Sequence, residues 1–503
     1  MTDVRKLVVV GLGVAFAVTS VAVTRTQTPA IALGDLPLLF VDDSGIAKRE
    51  SVVRTIHAAK THQAPVIEAD RKWEGDRVYI YGAVQRDEKS GELRMWYNTA
   101  PVREGGPERS GKVPGLRRNG ADLVLYATSK DGLKWTKPSL GQYAYDGDTN
   151  NNIVFDVHSP SVIFDAREKD PAKRYKMLGA EKPGNYVAAY SADGLKWVNY
   201  PKNPVLEHSD TITFTQHPLT GAYMAYHKRP ATVRGFPRRV VWLSTSADMQ
   251  EWTEPELVFG ADEIDDQWVT NKVERTEVYN MSVFPHASGF LGLPTIFRVI
   301  RQLERSQVAP GQSPLDGPID VELATSTDGR KWERTSRRTI VIPRGAPGTF
   351  DGGAILGVAS NPVNTNDETW VYYTALTTGH GAPIGPKKIS IGRADWRRNG
   401  FASLDAGPDG GRVETRPLRF ASPTLTVNAD ASRGRVRVAL LEEDGRAIAG
   451  YSLDDSVPLT KDATLSTAAW REKKGVPTDR PVRVVIELTS ARLFSLSSES
   501  ERR

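Results

Sequence analysis

Ser129-Lys130-Asp131-Gly132-Leu133-Lys134-Trp135 is one copy of a heptapeptide that recurs along the chain. Ser191-Ala192-Asp193-Gly194-Leu195-Lys196-Trp197 and Ser326-Thr327-Asp328-Gly329-Arg330-Lys331-Trp332 repeat it. Ser246-Ala247-Asp248-Met249-Gln250-Glu251-Trp252 is a worn copy. Each follows a strand-like run: Leu123 to Thr128, Tyr186 to Tyr190, Val240 to Thr245 and Val321 to Thr325. Asp-Gly supplies residues that tolerate positive φ in a tight turn. The tryptophan, three residues past the glycine, returns on the next strand and caps each unit in the same way. The tryptophans are spaced by 62, 55 and 80 residues, room for four strands and one long loop. A hairpin recurring at such a period marks a repeat architecture, and four-stranded blades around an axis remove exposed sheet edges.

Working outward from these hairpins divides the chain. The first unit runs from about Lys72 to Trp135, the second from Asn152 to Tyr200, the third from Ser209 to Glu256 and the fourth from Thr276 to Thr335. The insert from Arg301 to Pro318 explains the longest spacing. A fifth unit begins near Thr349, where Asp395-Trp396-Arg397-Arg398-Asn399-Gly400-Phe401 replaces the Asp-Gly hairpin. Beyond it, short alternating runs (Leu425 to Ala429, Arg435 to Leu441, Val482 to Leu488) suit a β-sandwich. The expected fold is therefore all-β: a five-bladed β-propeller over 69–401 and a C-terminal β-sandwich over 402–498, with a lead-in segment at 33–68 and a polar tail at 499–503. The stretch from Pro101 to Gly120 has no periodicity and reads as a loop.

Composition excludes several classes. The chain has 503 residues and no cysteine, so disulfides, thiolate metal sites and cysteine nucleophiles are out. The net charge of +5 is too small a bias to argue for nucleic acid, and no basic-aromatic module is visible. There is no Gly-rich phosphate loop, no Gly-x-Ser-x-Gly elbow and no dinucleotide fingerprint. Arg5-Lys6, the uncharged run Leu7 to Val23 and Ala30-Ile31-Ala32 read as a signal peptide over 1–32. An uncleaved N-terminal anchor is the alternative, and would be the chain's sole contact with a membrane. Either places the globular part outside the cytoplasm.

The cadence Ala-Thr-Ser-x-Asp-Gly-x-x-Trp, over strands ending in Tyr-Tyr or Trp-Tyr, resembles the five-bladed propeller glycosidases, the glycoside hydrolase and phosphorylase families 32, 43, 68, 117 and 130. The resemblance spans most of residues 65–498, and its hairpin is a mark of the fold rather than of chemistry. It implies a site at one end of the axis, where carboxylates from the innermost strands of different blades face an oligo- or polysaccharide. One carboxylic acid protonates the leaving oxygen and another carboxylate acts as base or nucleophile.

Candidates therefore stand where each unit's first strand begins: Glu74, Asp210, Glu277 and Asp351. The apolar strand after Glu277 would desolvate it, so Glu277 is the candidate acid. Glu74 and Asp210 compete for base or nucleophile, and Asp351 is placed to hold a sugar hydroxyl. The second unit has His158 where such an enzyme often carries an acid, so His158 is read as an acid/base or hydrogen-bonding group. Trp73 could stack on a sugar ring or pack the blade. Each acid has a plainer rival role as a solvated turn residue or cap. Arg229, Arg234, Arg238 and Arg239, with Arg298, Arg301 and Arg305, would favour an acidic sugar if they rimmed the pocket; a surface location is the other expectation. His57 and His62 lack partners for a transition-metal site, no cofactor is implied, and a structural calcium has no sequence support. Two functions stay open: a secreted glycoside hydrolase, or a non-catalytic propeller that binds glycan or protein at the cell envelope.

Overall fold

The repeated hairpin folds as its residues require. In the complete copies the serine hydroxyl accepts from the glycine N–H at 2.8, 2.9 and 2.9 Å for Gly132, Gly194 and Gly329. The aspartate accepts from the two backbone N–H groups that follow the glycine. The glycines have φ of 71°, 75° and 72°, a region that costs other residues about 1–2 kcal/mol. Each tryptophan indole turns back and donates to the glycine carbonyl, at 3.2, 3.1 and 3.2 Å.

The same carbonyl is also clipped to the preceding sheet. Trp96 Nε1 donates to Gly194 O at 2.6 Å, the Tyr226 hydroxyl to Gly329 O at 2.9 Å and the Tyr372 hydroxyl to Gly132 O at 3.0 Å. Trp96 and Tyr226 each lie three residues beyond the partner of their own sheet's hairpin serine, Leu93 opposite Ser129 and Tyr223 opposite Ser246. By register the equivalent residues of the second and fourth sheets are Leu178 and Leu293. Neither has a hydrogen to donate. The units they face are the two departures from the repeat, the worn hairpin with Met249 (φ 69°) and the fifth unit without Asp-Gly. Met249 is instead buried in one apolar cluster with Leu178. We expect Tyr226→Phe to lower stability by about 1 kcal/mol in urea unfolding; no change would mean the clip is energetically idle.

The computed structural model describes residues 29–87, 90–99, 113–116, 122–181, 184–207, 210–309, 312–335, 337–383 and 385–498. Among them the chain forms a β-propeller and a β-sandwich. The first sheet comprises Val84–Arg86, Leu93–Thr99, Leu123–Ser129 and Ile153–Phe155. The second is built on His158–Phe164, Tyr175–Glu181 and Asn185–Ser191. The third runs Ile212–Gln216, Tyr223–Val233, Phe236–Ser246 and Glu256–Phe259. The fourth is dominated by the long pair Arg275–His286 and Gly289–Val299. The fifth takes Ala354–Val358, Glu368–Leu376 and Ile389–Arg397 from late in the chain, and Lys60–Thr61 from its start as outer strand. Ring closure is fixed by Tyr372 on Gly132, by Ile80 N–H donating to Thr374 Oγ1 at 2.8 Å, and by Ser360 N–H donating to Gly82 O at 3.0 Å.

Two six-stranded sheets make the sandwich. Its core joins Leu404, Val427 and Leu493 of one sheet to Val413, Val438 and Ile486 of the other. The segment read as a lead-in contributes Leu38–Leu39, Ile46–Glu50 and Val53–Ile56 to these sheets. Ala30-Ile31-Ala32, read from sequence as a cleavage motif, runs into the strand Ile31–Leu33, which pairs in parallel with Leu418–Phe420. The apolar run Leu7 to Val23, the tail 499–503 and, apart from 113–116, the loop from Pro101 to Gly120 lie outside the described residues. No described helix is long and apolar enough to cross a membrane.

Candidate functional site

The inner strands of the sheets begin at one end of the propeller. That end carries a cavity of about 660 Å³ between the third and fourth sheets. Six charged residues line it: Asp210, Lys228, Arg238, Arg239, Arg275 and Glu277. Local structure explains their convergence. The strands Tyr223–Val233 and Phe236–Ser246 form one long hairpin, with Arg229 opposite Val240 and Pro230 opposite Arg239. It carries Lys228, Arg238 and Arg239 up to the start of Arg275–His286. There Arg275 and Glu277, two residues apart on one strand, share a face.

Glu277 is buried, and each of its oxygens accepts from an arginine. Arg275 Nε donates to Oε1 at 2.8 Å and Arg239 Nη1 to Oε2 at 2.5 Å. Asp210 faces Lys228 Nζ at 2.6 Å and is the more open carboxylate, its side chain 35% exposed. The Lys228 ammonium sits 3.9 Å from the centre of the Tyr279 ring. Burial pushes its pKa below the usual lysine range, and Asp210 beside it opposes that shift. Arg238 is spent on structure: it grips both oxygens of Asp266 at 2.8 and 2.7 Å and donates to the Val233 and Thr276 carbonyls.

Beside the cavity an aromatic cluster follows the axis. Tyr279 packs edge-on to His380 at 5.0 Å, and Tyr79 and Tyr81 stack at 6.2 Å with His158 against both. Burial raises the hydroxyl pKa of Tyr81 and pushes that of Tyr79 up to about 12. His380 Nδ1 donates to the Leu315 carbonyl at 3.1 Å, and burial, with Arg239 nearby, lowers its pKa to about 3. Burial likewise lowers His286, in the fourth sheet, to about 4. In the unfolded chain both imidazoles protonate near the ordinary value of ~6.5. Between that pH and their folded values the unfolded state binds more protons, so acid destabilises the fold. We expect the melting temperature to fall as pH drops from ~6.5 to ~4, and to fall less steeply in His380→Gln; identical slopes would exclude His380 as a contributor.

The sequence-derived candidates separate. Asp210 and Glu277 come together at the cavity. Glu74 and Asp351 do not line it. Glu74 ends a 3₁₀ turn, Lys72–Glu74, and is completely buried, accepting from Asp70 N–H, Arg71 N–H, the Tyr97 hydroxyl and Lys137 Nζ. Asp351 is buried under the Tyr373 and Thr349 hydroxyls at 2.8 and 3.0 Å. Trp73 donates its indole N–H to Asn152 and packs within the first sheet's core. His158 stands at the axis, its Nδ1 3.1 Å from Asp122 Oδ1, a carboxylate that sequence reasoning passed over. The arginines need a correction to the surface expectation: Arg238 and Arg239 line the cavity, held there by the length of the hairpin that bears them. Arg234, Arg298 and Arg301 instead pair with Asp266, Asp320 and Asp316. Lys228, Arg275, Tyr279 and His380 were missed. The available signal was the density of cations at Lys228-Arg229 and Arg238-Arg239 and the Arg275-x-Glu277 spacing. Among the described residues, no group of three or more His, Cys, Asp or Glu side chains could hold a metal ion.

No protein-family model and no curated protein sequence matches the chain. Solved structures do. A β-1,2-mannobiose phosphorylase from Listeria innocua is 14% identical, with 69% of this chain and 97% of that one covered and a TM-score of 0.43. An α-L-arabinofuranosidase from Podospora anserina is 10% identical over 68% and 98%, TM-score 0.40. A β-fructofuranosidase from Bombyx mori is 10% identical over 86% and 94%, TM-score 0.39. These neighbours are glycoside hydrolases and a phosphorylase. At such identities and scores the likeness carries no residue roles across.

Proposed function

We propose that the protein is a glycan-active enzyme that cleaves a glycosidic bond in the cavity between its third and fourth sheets. What supports this most is that two carboxylates from different sheets, Asp210 and Glu277, line one cavity, with the Tyr279 ring packed behind its Lys228. Glycosidic cleavage asks for that pairing: one group to protonate the leaving oxygen, another to act as a carboxylate at the anomeric centre.

The division of labour differs from the sequence expectation. Each oxygen of Glu277 accepts from a guanidinium, an arrangement that suits an acceptor-only carboxylate rather than a proton donor. It serves as the carboxylate, as base, nucleophile or stabiliser of positive charge at the anomeric carbon. Asp210 takes the proton-donor role. Lys228, buried and 2.6 Å away, fixes the position of the Asp210 carboxyl. His158, backed by Asp122, packs with Tyr79 and Tyr81 in the aromatic cluster beside the cavity. Because the first 28 residues include a basic, then apolar run, we also propose that the enzyme acts outside the cytoplasm.

The test is a panel of oligosaccharides incubated with wild type and Asp210→Asn, with products followed by chromatography. Turnover by wild type, reduced about 10²–10⁴-fold in the variant, is the expected result. Binding without turnover by wild type would favour the non-catalytic glycan-binding alternative, and equal turnover by both proteins would remove Asp210 from the chemistry.

A further inference from the structure

The geometry points to an acidic glycan as the substrate, its sugar carboxylate gripped by the free edge of Arg239. This rests on the glycan-active function proposed above and narrows it. Arg239 gives Nη1 to Glu277 at 2.5 Å. Its Nε and Nη2, the side edge of the guanidinium, donate to no protein group among the described residues. The group is held against two aromatic rings, its centre 5.6 Å from both the Tyr279 and Phe297 rings. A guanidinium fixed on aromatic faces, with one edge bound and the adjacent edge open, presents two parallel N–H donors at carboxylate spacing. The side chain is 24% exposed, so the open edge is reachable from the cavity.

The charge balance agrees. Lys228, Arg238, Arg239 and Arg275 line the cavity against Asp210 and Glu277. Arg238 is neutralised by Asp266 from behind and Lys228 by Asp210, which leaves two arginines sharing Glu277. The surplus positive charge lies on the wall that carries the open edge. In a partly water-excluded cavity that surplus favours a ligand with one negative charge over a neutral one.

The experiment is calorimetric titration with uronate disaccharides, with their neutral counterparts, and with inorganic phosphate, using wild type, Arg239→Gln and Arg239→Lys. We expect wild type to bind the uronates about tenfold or more tighter than the neutral sugars, one charge-assisted pair's worth of discrimination, and the preference to shrink with added salt. Arg239→Gln should abolish the preference and Arg239→Lys should retain part of it. The wild-type comparison stands alone should either variant fail to fold. Neutral sugars binding as tightly as uronates, or a preference unchanged in Arg239→Gln, would overturn the inference while leaving a glycan enzyme in place. Neutral disaccharides that bind only with phosphate present would also overturn it, by assigning the open edge to a free oxyanion. Failure of every sugar to bind would overturn the glycan function itself.

Discussion

Glu277→Gln is expected to lower turnover of the glycan substrate by about 10³-fold while the protein stays folded. The substitution keeps the shape of the side chain but removes the negative charge that Arg239 and Arg275 now share. The loss should fall on kcat more than on KM, because charge at the anomeric carbon develops in the transition state rather than in the bound sugar. Glu277→Ala should be worse in a second way. Both variants leave two guanidiniums side by side without their counter-ion, which costs about 3–5 kcal/mol when a buried ion pair is broken, and alanine also removes the acceptor oxygen that glutamine keeps and leaves a void. Thermal melting of the two variants separates the effects: both should melt below wild type, and alanine below glutamine.

Glu74→Ala is expected to behave in the opposite manner, destabilising the fold by about 3–5 kcal/mol with little change in turnover per folded molecule. Glu74 is fully buried, and four donors converge on it, two of them backbone N–H groups. Lys137, its cationic partner, has a side chain only 7% exposed. Removing the carboxylate leaves Lys137 Nζ with Asp70 and the Glu68 carbonyl but strands the two N–H groups and the Tyr97 hydroxyl at once, and buried polar groups left unsatisfied are among the few causes of so large a loss. Denaturant unfolding of Glu74→Ala, with activity normalised to folded protein, checks both halves.

The contrast between these two residues shows what a sequence can carry here. Glu74 and Glu277 look alike on paper: an acid just ahead of an apolar strand. Their difference lies in contacts made by residues distant in the chain, Lys137 for one and Arg239 for the other. The propeller was legible because its hairpin is local. Serine, aspartate and glycine satisfy one another within a few residues, so the pattern survives in the sequence. The clip between sheets was not legible, since Trp96 must be known to sit opposite Gly194, 98 residues away. Only the register shows that Leu178 and Leu293 stand where a donor is lacking, and so why the third hairpin is worn and the fifth absent. The cavity was half legible for the same reason. Asp210 and Glu277 follow from counting strands, whereas Lys228 and Arg239 reach the site because their hairpin runs past the sheet's edge, a length that alternation alone does not announce. The N-terminal strands were hidden too: Lys60–Thr61 completes the fifth sheet, beside a strand more than 300 residues later, as the pairing of Asp395 with Lys60 records.

The most direct test of the account is kcat/KM for Glu277→Gln beside Glu74→Gln on one oligosaccharide that the wild type cleaves. A loss of about 10³-fold in the first, with the second within a few-fold of wild type per folded molecule, is the predicted result. Comparable activity in Glu277→Gln and wild type, or a collapse confined to Glu74→Gln, would contradict a glycan site between the third and fourth sheets.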